Sequence, residues 1–380
     1  MHDVVVVGGG PAGSLAAAAL ARTHDVMVLE EHPSSGQPVQ CAGLITDDVI
    51  SMSGVRPDIL NTLYGAEVVF PDGNTVEVRS QWPKARVIDR GQLDSLMAGA
   101  ASDAGAVYSY NTRYISHHAT DSVSVETDRG VFESRSVVGA DGHSSRVAVN
   151  LGDNQPREYV RGIQADVSVR MERQDLFRIR LGSRFAPGFF SWEIPCGDFT
   201  RVGLCTSWSA GPPYPYLRGL LDHIGASDRI VRMYSGKIPL GGRRTLHGDR
   251  CLLIGDAGCM VKPVSGGGLY PAFTSIPILR DILTDALDRD ALDDRSLSVY
   301  DRVWRERVGR ELDRAYRLRR MFVRLDDDGL SRAGMYASRG NVRSALDELS
   351  LDHPSDVVYD VLRHPSDVLA AIPLALRCLL

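Results

Sequence analysis

Apolar and polar positions along this chain follow two periods, and the change of period marks its organisation. Asp3 precedes the unbroken apolar run Val4-Val5-Val6-Val7, then Gly8-Gly9-Gly10-Pro11-Ala12-Gly13, an alanine-rich stretch from Ser14 to Arg22, and Val26-Met27-Val28-Leu29 closing on Glu30. Short runs apolar on both faces, set between turn formers, read as buried parallel strands, so the order is strand, tight turn, helix, strand. The same pattern returns in Val137-Val138-Gly139-Ala140 ahead of Asp141-Gly142, and in Cys251-Leu252-Leu253-Ile254 ahead of Gly255-Asp256. Pro263 and Gly266-Gly267-Gly268 then open a helix through Leu269 and Ala272.

From 161 to 207 the period drops to two, in runs at 163–169, 177–181, 189–194 and 202–205, with no helix of useful length between them. That predicts an antiparallel sheet inserted into the first domain. Hairpins are predicted at 64–78, turning on Pro71-Asp72-Gly73-Asn74, and at 122–133, turning on Asp128-Arg129-Gly130. Leu93, Leu96 and Met97 predict a helix over 92–104 behind Val87-Ile88-Asp89-Arg90. Trp304, Val308, Leu312, Tyr316 and Phe322 predict another over 301–325, ended by Asp326-Asp327-Asp328-Gly329. Its arginines (Arg302, Arg305, Arg310, Arg317, Arg319, Arg320) read as a solvated face or as a face for anionic lipid headgroups. His-Pro-Ser-Asp-Val occurs at 353–357 and 364–368, each copy a Pro-led helix start, and the apolar stretch 368–380 is short enough to suggest docking or shallow interfacial contact.

Composition narrows the classes without choosing one. The 380 residues are 43% hydrophobic and 24% charged, ordinary globular values, and the net charge of −5 gives no reason to expect nucleic acid. Six cysteines (Cys41, Cys196, Cys205, Cys251, Cys259, Cys378) are scattered, fitting neither a zinc site nor a disulfide framework, which points to a reducing cytosol. The first strand starts almost at residue 1, so no signal peptide is expected.

Candidate chemistry sits at the strand ends. Gly8 permits the first turn, Gly10 lets backbone approach a pyrophosphate, and Gly13 lets the helix lie close on the strands. The helix start offers free N–H groups to phosphates, and Glu30, roughly 20 residues on, can accept a ribose hydroxyl. Together these make a dinucleotide site. Cys41 reads either as a small residue packed in a corner or as a group beside the reactive face of a cofactor. Arg90 reads as a cofactor contact or as an ion-pair partner of Asp89 or Asp94. Asp141, and Asp256 followed by the triple glycine, fall where open α/β sheets bind ligands. Phe189, Phe190 and Trp192 read as sheet core or as the wall of an apolar pocket.

Taken together, Gly-Gly-Gly-Pro-Ala-Gly, Val-Ile-Asp-Arg-Gly-Gln-Leu-Asp, Gly-Ala-Asp-Gly-His-Ser-Ser and Gly-Asp-Ala with Pro263 and Gly266-Gly267-Gly268 resemble the para-hydroxybenzoate-hydroxylase type of FAD-binding fold. Within it, the segment from Pro187 to Pro195 resembles the P-x-x-Y-x-W-x-F-P signature of geranylgeranyl reductases, with Phe190 where Tyr is usual and Ile194 where Phe is usual. Cys41 stands where that family carries its active-site cysteine, in Cys-Ala-Gly-Leu where archaeal digeranylgeranylglycerophospholipid reductases usually have Cys-Gly-Glu-Gly. Similarity extends over essentially the whole chain.

The resemblance implies an α/β fold, with a Rossmann-like FAD-binding domain on a parallel sheet, an inserted antiparallel substrate domain and a C-terminal helical region. The expected boundaries are 1–150 (with hairpin insertions near 64–80), 151–240, 241–290 for the returning FAD-binding part, and 291–380. Gly8, Gly10, Ala12 and Gly13 would hold the FAD pyrophosphate and Glu30 the adenosine ribose; Arg90, Asp256, Gly268 and Leu269 would contact the rest. Cys41 and Ala42 would lie by the isoalloxazine, Asp141 would belong to the Asp-Gly cofactor motif, and Phe190 and Trp192 would line a prenyl tunnel. Cys41 is the catalytic candidate, as proton donor, with ordered water as the alternative; no metal is implied. The implied activity is FAD-dependent saturation of C=C bonds in geranylgeranyl chains of an archaeal ether lipid. The electron donor would be ferredoxin, a reduced deazaflavin or NAD(P)H, and the location cytoplasmic with peripheral contact to the inner face of the membrane. The rivals are a monooxygenase or halogenase of the same fold, a reductase of quinone or chlorophyll prenyl chains, and a non-enzymatic prenyl-binding carrier.

Overall fold

The computed structural model describes residues 1–39, 41–152, 155–338, 347 and 350–352. The two His-Pro-Ser-Asp-Val copies, the stretch 368–380 and Cys378 lie outside them. The first thirty residues fold as their pattern dictates, with β1 at His2–Val7, α1 at Pro11–Leu20 and β2 at Val26–Leu29. Val4, Val5 and Val6 are fully buried because both faces of their sheet are covered. In the order of that sheet, Cys251–Leu253, Gly130–Gly139, β1, β2 and Val107–Ser109 run parallel, with Val5 opposite Val137 on one side and Met27 on the other. The second arm of the expected hairpin at 122–133 and the buried run at 137–139 are one strand, Gly130–Gly139. Its first half pairs antiparallel with Val123–Thr127 and its second half parallel with β1.

A second, seven-stranded sheet has the order Ile230–Leu240, Glu158–Val167, Thr200–Ser207, Phe190–Pro195, Leu176–Leu181, Gly65–Val69, Thr75–Arg79. The inserted antiparallel sheet is therefore present, and the hairpin expected near 64–80 extends it, with Gly65–Val69 parallel to Leu176–Leu181. Two further elements belong here that the pattern did not reveal. The helix Tyr214–His223 buries Leu217, Leu220 and Leu221 against Ile163, Ala165, Val167, Val202 and Leu204 on one face of the sheet. The edge strand Ile230–Leu240 is largely exposed and has no clean apolar alternation to announce it. A small third sheet of Leu44–Ile45, Ala85–Ile88 and Ile59–Leu63 joins the exit of the Cys41 segment to the start of helix Arg90–Asp103. Asp89 caps that helix, accepting from the N–H groups of Gly91 and Gln92.

The arginine-rich segment departs from a single helix over 301–325. It begins at Asp294 behind an Asp293 cap, runs as Asp294–Trp304, widens through a π turn at Arg305–Gly309, and continues as Arg310–Phe322. The widened turn lies where Gly309 packs on the Trp304 ring, whose Nε1 donates to buried Ser275 at 2.7 Å. The triple Asp opens a new helix rather than closing the old one. Asp326 accepts from Gly329 N and caps Asp327–Ala337, because carboxylates favour the positive end of a helix.

Arg302, Arg310, Arg317 and Arg320 are exposed, whereas Arg319 is only 2% exposed. Its guanidinium donates to both carboxylate oxygens of Glu158 (2.5 and 3.1 Å) and to the carbonyl of Gly188 (3.1 Å), and lies 5.0 Å over the Phe189 ring. One side chain thus ties the helical region to the turn that presents Phe189 and Phe190. Arg319→Ala is expected to cost about 3 kcal/mol, since it strands the Glu158 carboxylate; urea unfolding against wild type measures it, and an unchanged midpoint contradicts the assignment.

Candidate active site

The turn after β1 is built from glycines with opposite duties. A Cβ on Gly13 would lie 1.9 Å from the Gly8 carbonyl oxygen, and one on Gly8 would lie 2.4 Å from the Ala140 oxygen, at a left-handed φ of 103°. Both positions exclude any side chain because the fold itself fills the space. Gly10 is different, since a Cβ there would meet nothing within 4 Å, at an ordinary φ of −72°. The space in front of Gly10 is kept clear at the N-terminus of α1, where N–H groups attract phosphate. Glu30, at the end of β2, accepts from Gly9 N (2.7 Å) and from the backbone N (2.9 Å) and ring Nδ1 (2.7 Å) of His32. Its carboxylate is held in place beside that turn.

The second Gly-Asp turn comes up against the first. A Cβ on Gly255 would lie 2.8 Å from that of Ala12, and one on Gly268 would lie 2.8 Å from Asp256 Oδ1. Asp256 and the Gly268–Leu269 helix start therefore border the same groove as Gly10. Burial pushes the Asp256 carboxyl up to about 6, with Arg90 opposing. Arg90 is itself buried and donates to Asp94 at 2.8 and 3.2 Å. Burial works against its charge, and Asp94 together with the neighbouring Cys41 outweighs this and raises it. Its Nε has no partner among the described residues. Of the two readings of Arg90, the Asp94 pair is present, and the free Nε leaves room for a ligand acceptor as well.

Asp141 lies at the edge of this groove, its Cα 3.0 Å from where a Gly8 Cβ would be, but its carboxylate is committed to the following turn. It accepts from Ser145 Oγ and from the N–H groups of Arg146 (2.7 Å) and Val147 (3.1 Å).

Cys41 and Ala42 are held from the second sheet. Gln164 Nε2 donates to the Cys41 carbonyl at 3.1 Å, and Arg201 Nη1 donates to the Ala42 carbonyl at 2.8 Å. Arg201 is buried and pairs with Asp166 (2.7 and 3.1 Å), which also accepts from Tyr234 at 3.0 Å. The sheet face carrying Gln164 and Arg201 also carries Trp192, Phe190 and Cys205, and these continue into an apolar cluster with Val160, Phe189, Leu240, Val261 and Ile238. Phe190 stacks on Phe189 at 4.6 Å between ring centroids and meets Trp192 edge-on at 6.1 Å. The three aromatics are core and wall at once. The opposite face of the sheet opens on a cavity of about 640 Å³, lined by Glu67, Arg178, Arg180 and Glu193. These pair with one another at 2.7–3.1 Å, so this part of the opposite face is charged, beside the apolar part covered by the helix Tyr214–His223.

Gln164, Asp166, Arg201 and Tyr234 were missed in the sequence. For Gln164 and Asp166 the available signal was polar residues at alternate positions of an otherwise apolar run; Arg201 and Tyr234 carried none. Lys262 and Asp352 were missed as well. Lys262 Nζ donates to Asp352 (2.8 Å) and to the Leu351 carbonyl (2.6 Å), and Thr46 donates to the other Asp352 oxygen (2.6 Å). This ties residues 351–352 to the loop before Gly266; burial pushes the Lys262 ammonium down.

Residues 1–185 match the family model of an FAD binding domain. A digeranylgeranylglycerophospholipid reductase of Methanothermobacter thermautotrophicus is 30% identical over 378 residues, 93% of this chain and 97% of that protein. A geranylgeranyl bacteriochlorophyll reductase-like protein of Thermoplasma acidophilum has the same fold, with TM-score 0.85 and 20% identity over 98% of this chain and 99% of that one. So does a halogenase solved with phloroglucinol and FAD, with TM-score 0.69 and 16% identity over 94% and 85%. The fold and the cleared groove at Gly10 are those of a flavin-dependent oxidoreductase, with FAD as its cofactor. Within that class the chain belongs to the geranylgeranyl reductase family, in its digeranylgeranylglycerophospholipid reductase-like branch. Among the described residues no helix is long and apolar enough to cross a membrane, and no group of three or more His, Cys, Asp or Glu is placed to hold a metal ion.

Two outcomes are expected from this geometry. Gly10→Val should fold with the melting temperature of cofactor-free wild type yet purify without FAD; FAD bound at full stoichiometry would show that the space before Gly10 is not the phosphate seat. The carboxyl of Asp256 moves from 3.8 unfolded to about 6 folded, so the fold favours its neutral form and loses that contribution as pH rises through about 6. Cofactor-free Asp256→Asn should therefore gain stability relative to wild type between pH 4.5 and pH 7.5. A constant difference in melting temperature across that range would contradict the shift.

Proposed function

We propose that this protein saturates C=C bonds in the geranylgeranyl chains of an archaeal-type ether glycerophospholipid, with reduced FAD as the hydride source. The observation that carries the reading is that an apolar, aromatic sheet face is joined directly to the Cys41–Ala42 segment by Gln164 and Arg201. An isolated alkene offers no polar handle, so its enzyme must present an apolar wall and bring a hydride and a proton to adjacent carbons. The relative's name supplies the substrate class.

In this reading the cleared turn at Gly8, Gly10, Ala12 and Gly13 seats the pyrophosphate, Glu30 takes the adenosine ribose, and Arg90, Asp256, Gly268 and Leu269 hold the remainder. Asp141 shapes the turn at the cofactor's edge. Bound FAD supplies hydride transfer. Phe190 and Trp192 hold the prenyl chain by contact area and exclude water, and Cys41 lies beside the reacting face. The proton comes from the Cys41 thiol or from ordered water. The electrons arrive from ferredoxin, a reduced deazaflavin or NAD(P)H. The exposed arginines of the helical region support peripheral contact with the cytoplasmic face of the membrane in this reading.

Dithionite-reduced protein, given a geranylgeranyl glycerophospholipid without oxygen, is expected to return lipid heavier by two hydrogens for each bond reduced. Lipid of unchanged mass, with flavin that reoxidises only in air, contradicts the reading and favours oxygen chemistry. Cys41→Ser is expected to keep its FAD and lose much of its turnover; full activity would remove Cys41 from the reaction.

A further inference from the structure

Gln164, Gly203 and Trp192 stand in one row across the second sheet. Gln164 is opposite Gly203 in the pairing of Glu158–Val167 with Thr200–Ser207, and Gly203 is opposite Trp192 in the pairing with Phe190–Pro195. A Cβ on Gly203 would lie 2.5 Å from Trp192 Cε2 and Cζ2 and 2.6 Å from Gln164 Cβ. The glycine is thus a gap over which both side chains converge, with the nitrogen-bearing edge of the indole laid across it. Gln164 is 4% exposed and its Nε2 is already used on the Cys41 carbonyl. The Gln164 Oε1 and the Trp192 Nε1 are both buried and have no hydrogen-bond partner among the described residues. One atom only accepts and the other only donates. They sit beside an apolar cluster of Val160, Phe189, Phe190, Cys205, Ile238 and Val261. Buried polar atoms are almost always paired, by protein or by ordered water, because leaving them bare is costly.

We propose that Gln164 and Trp192 hold one water molecule beside the Cys41 segment, and that this water gives the proton of C=C reduction. The inference rests on the reductase reading. Trp192 Nε1–H donates to the water oxygen and one water hydrogen goes to Gln164 Oε1. The other O–H is left to face the wall along which a prenyl chain would lie. In the reduction one alkene carbon takes the hydride supplied by reduced FAD and its neighbour takes the water proton. One π bond, the bond holding the hydride on the reduced cofactor and one O–H bond would break, two C–H bonds would form, the cofactor would be oxidised by two electrons, and the hydroxide left behind would be reprotonated from solvent. Gln164 and Trp192 are positioning residues in this scheme.

The test is Trp192→Phe, which keeps a ring and removes the N–H, assayed anaerobically on the FAD-loaded protein with a geranylgeranyl glycerophospholipid in H2O and D2O. The expected result is full FAD content, KM within about twofold, kcat down roughly a hundredfold, and a larger solvent deuterium isotope effect on kcat. Gln164→Glu, which retains an acceptor oxygen, should keep more of kcat than Gln164→Met. A crystal structure of the FAD-loaded wild type should show a water at ~2.8–3.1 Å from both atoms. A raised KM with unchanged kcat and isotope effect in Trp192→Phe would make Trp192 a wall only and overturn the proposal. A cofactor atom bonded to Trp192 Nε1 would also overturn it, as would an isotope effect altered in Cys41→Ser but not in Trp192→Phe. Wild type that returns the lipid unreduced would instead sink the reductase reading itself.

Discussion

Everything at this site depends on one buried guanidinium. Arg201 bridges the Asp166 carboxylate on its neighbouring strand and the Ala42 carbonyl in the Cys41 segment, and Tyr234 completes the carboxylate from the edge strand. Burying such a pair gains little net stability, because desolvation offsets most of the attraction. What it gains is position. A planar fork of donors can satisfy a carboxylate and a carbonyl together only in one arrangement. The sheet that carries the apolar wall is thereby fixed against the segment that carries Cys41. Gln164 adds a second bond one residue earlier along that segment.

The glycines show how one residue type serves two purposes. Gly8 and Gly13 let backbone elements of the protein approach one another, and a methyl at either would collide with a carbonyl oxygen. At Gly10 no other part of the protein lies within 4 Å of where a Cβ would be, so its lack of a side chain serves what lies in front of it. Gly203 is a third case, a gap in a sheet face into which an indole and an amide lean. Each is read from what a Cβ would touch, which a sequence motif alone does not distinguish.

The β1–α1–β2 unit, the Gly-Asp turn and the alternating strands were legible because their signals are local, carried by period and by turn residues within a dozen positions. The placement of the 64–80 hairpin was not, since Gly65–Val69 joins the second sheet through a parallel pairing with Leu176–Leu181, more than a hundred residues away. Arg319 looks like its five exposed or half-exposed arginine neighbours until Glu158 is brought to it from the other sheet. The triple Asp was read as a stop because turn formers end helices, yet the same carboxylates start one when backbone N–H groups follow in helical register. At the site, Gly10, Glu30, Asp256 and Gly268 lie around one groove, whereas Gln164 and Arg201 carry no motif and reach the Cys41 segment through carbonyls distant in the chain.

Under the proposed reading, electrons held on the flavin leave only through an isolated double bond presented on the apolar sheet face. Anaerobic stopped-flow mixing of reduced protein with geranylgeranyl glycerophospholipid, followed at the absorbance of oxidised flavin, measures this directly. Reoxidation is expected with the unsaturated lipid and none with the fully saturated lipid of the same headgroup. Equal reoxidation with both lipids, or none with either until oxygen is admitted, would contradict it.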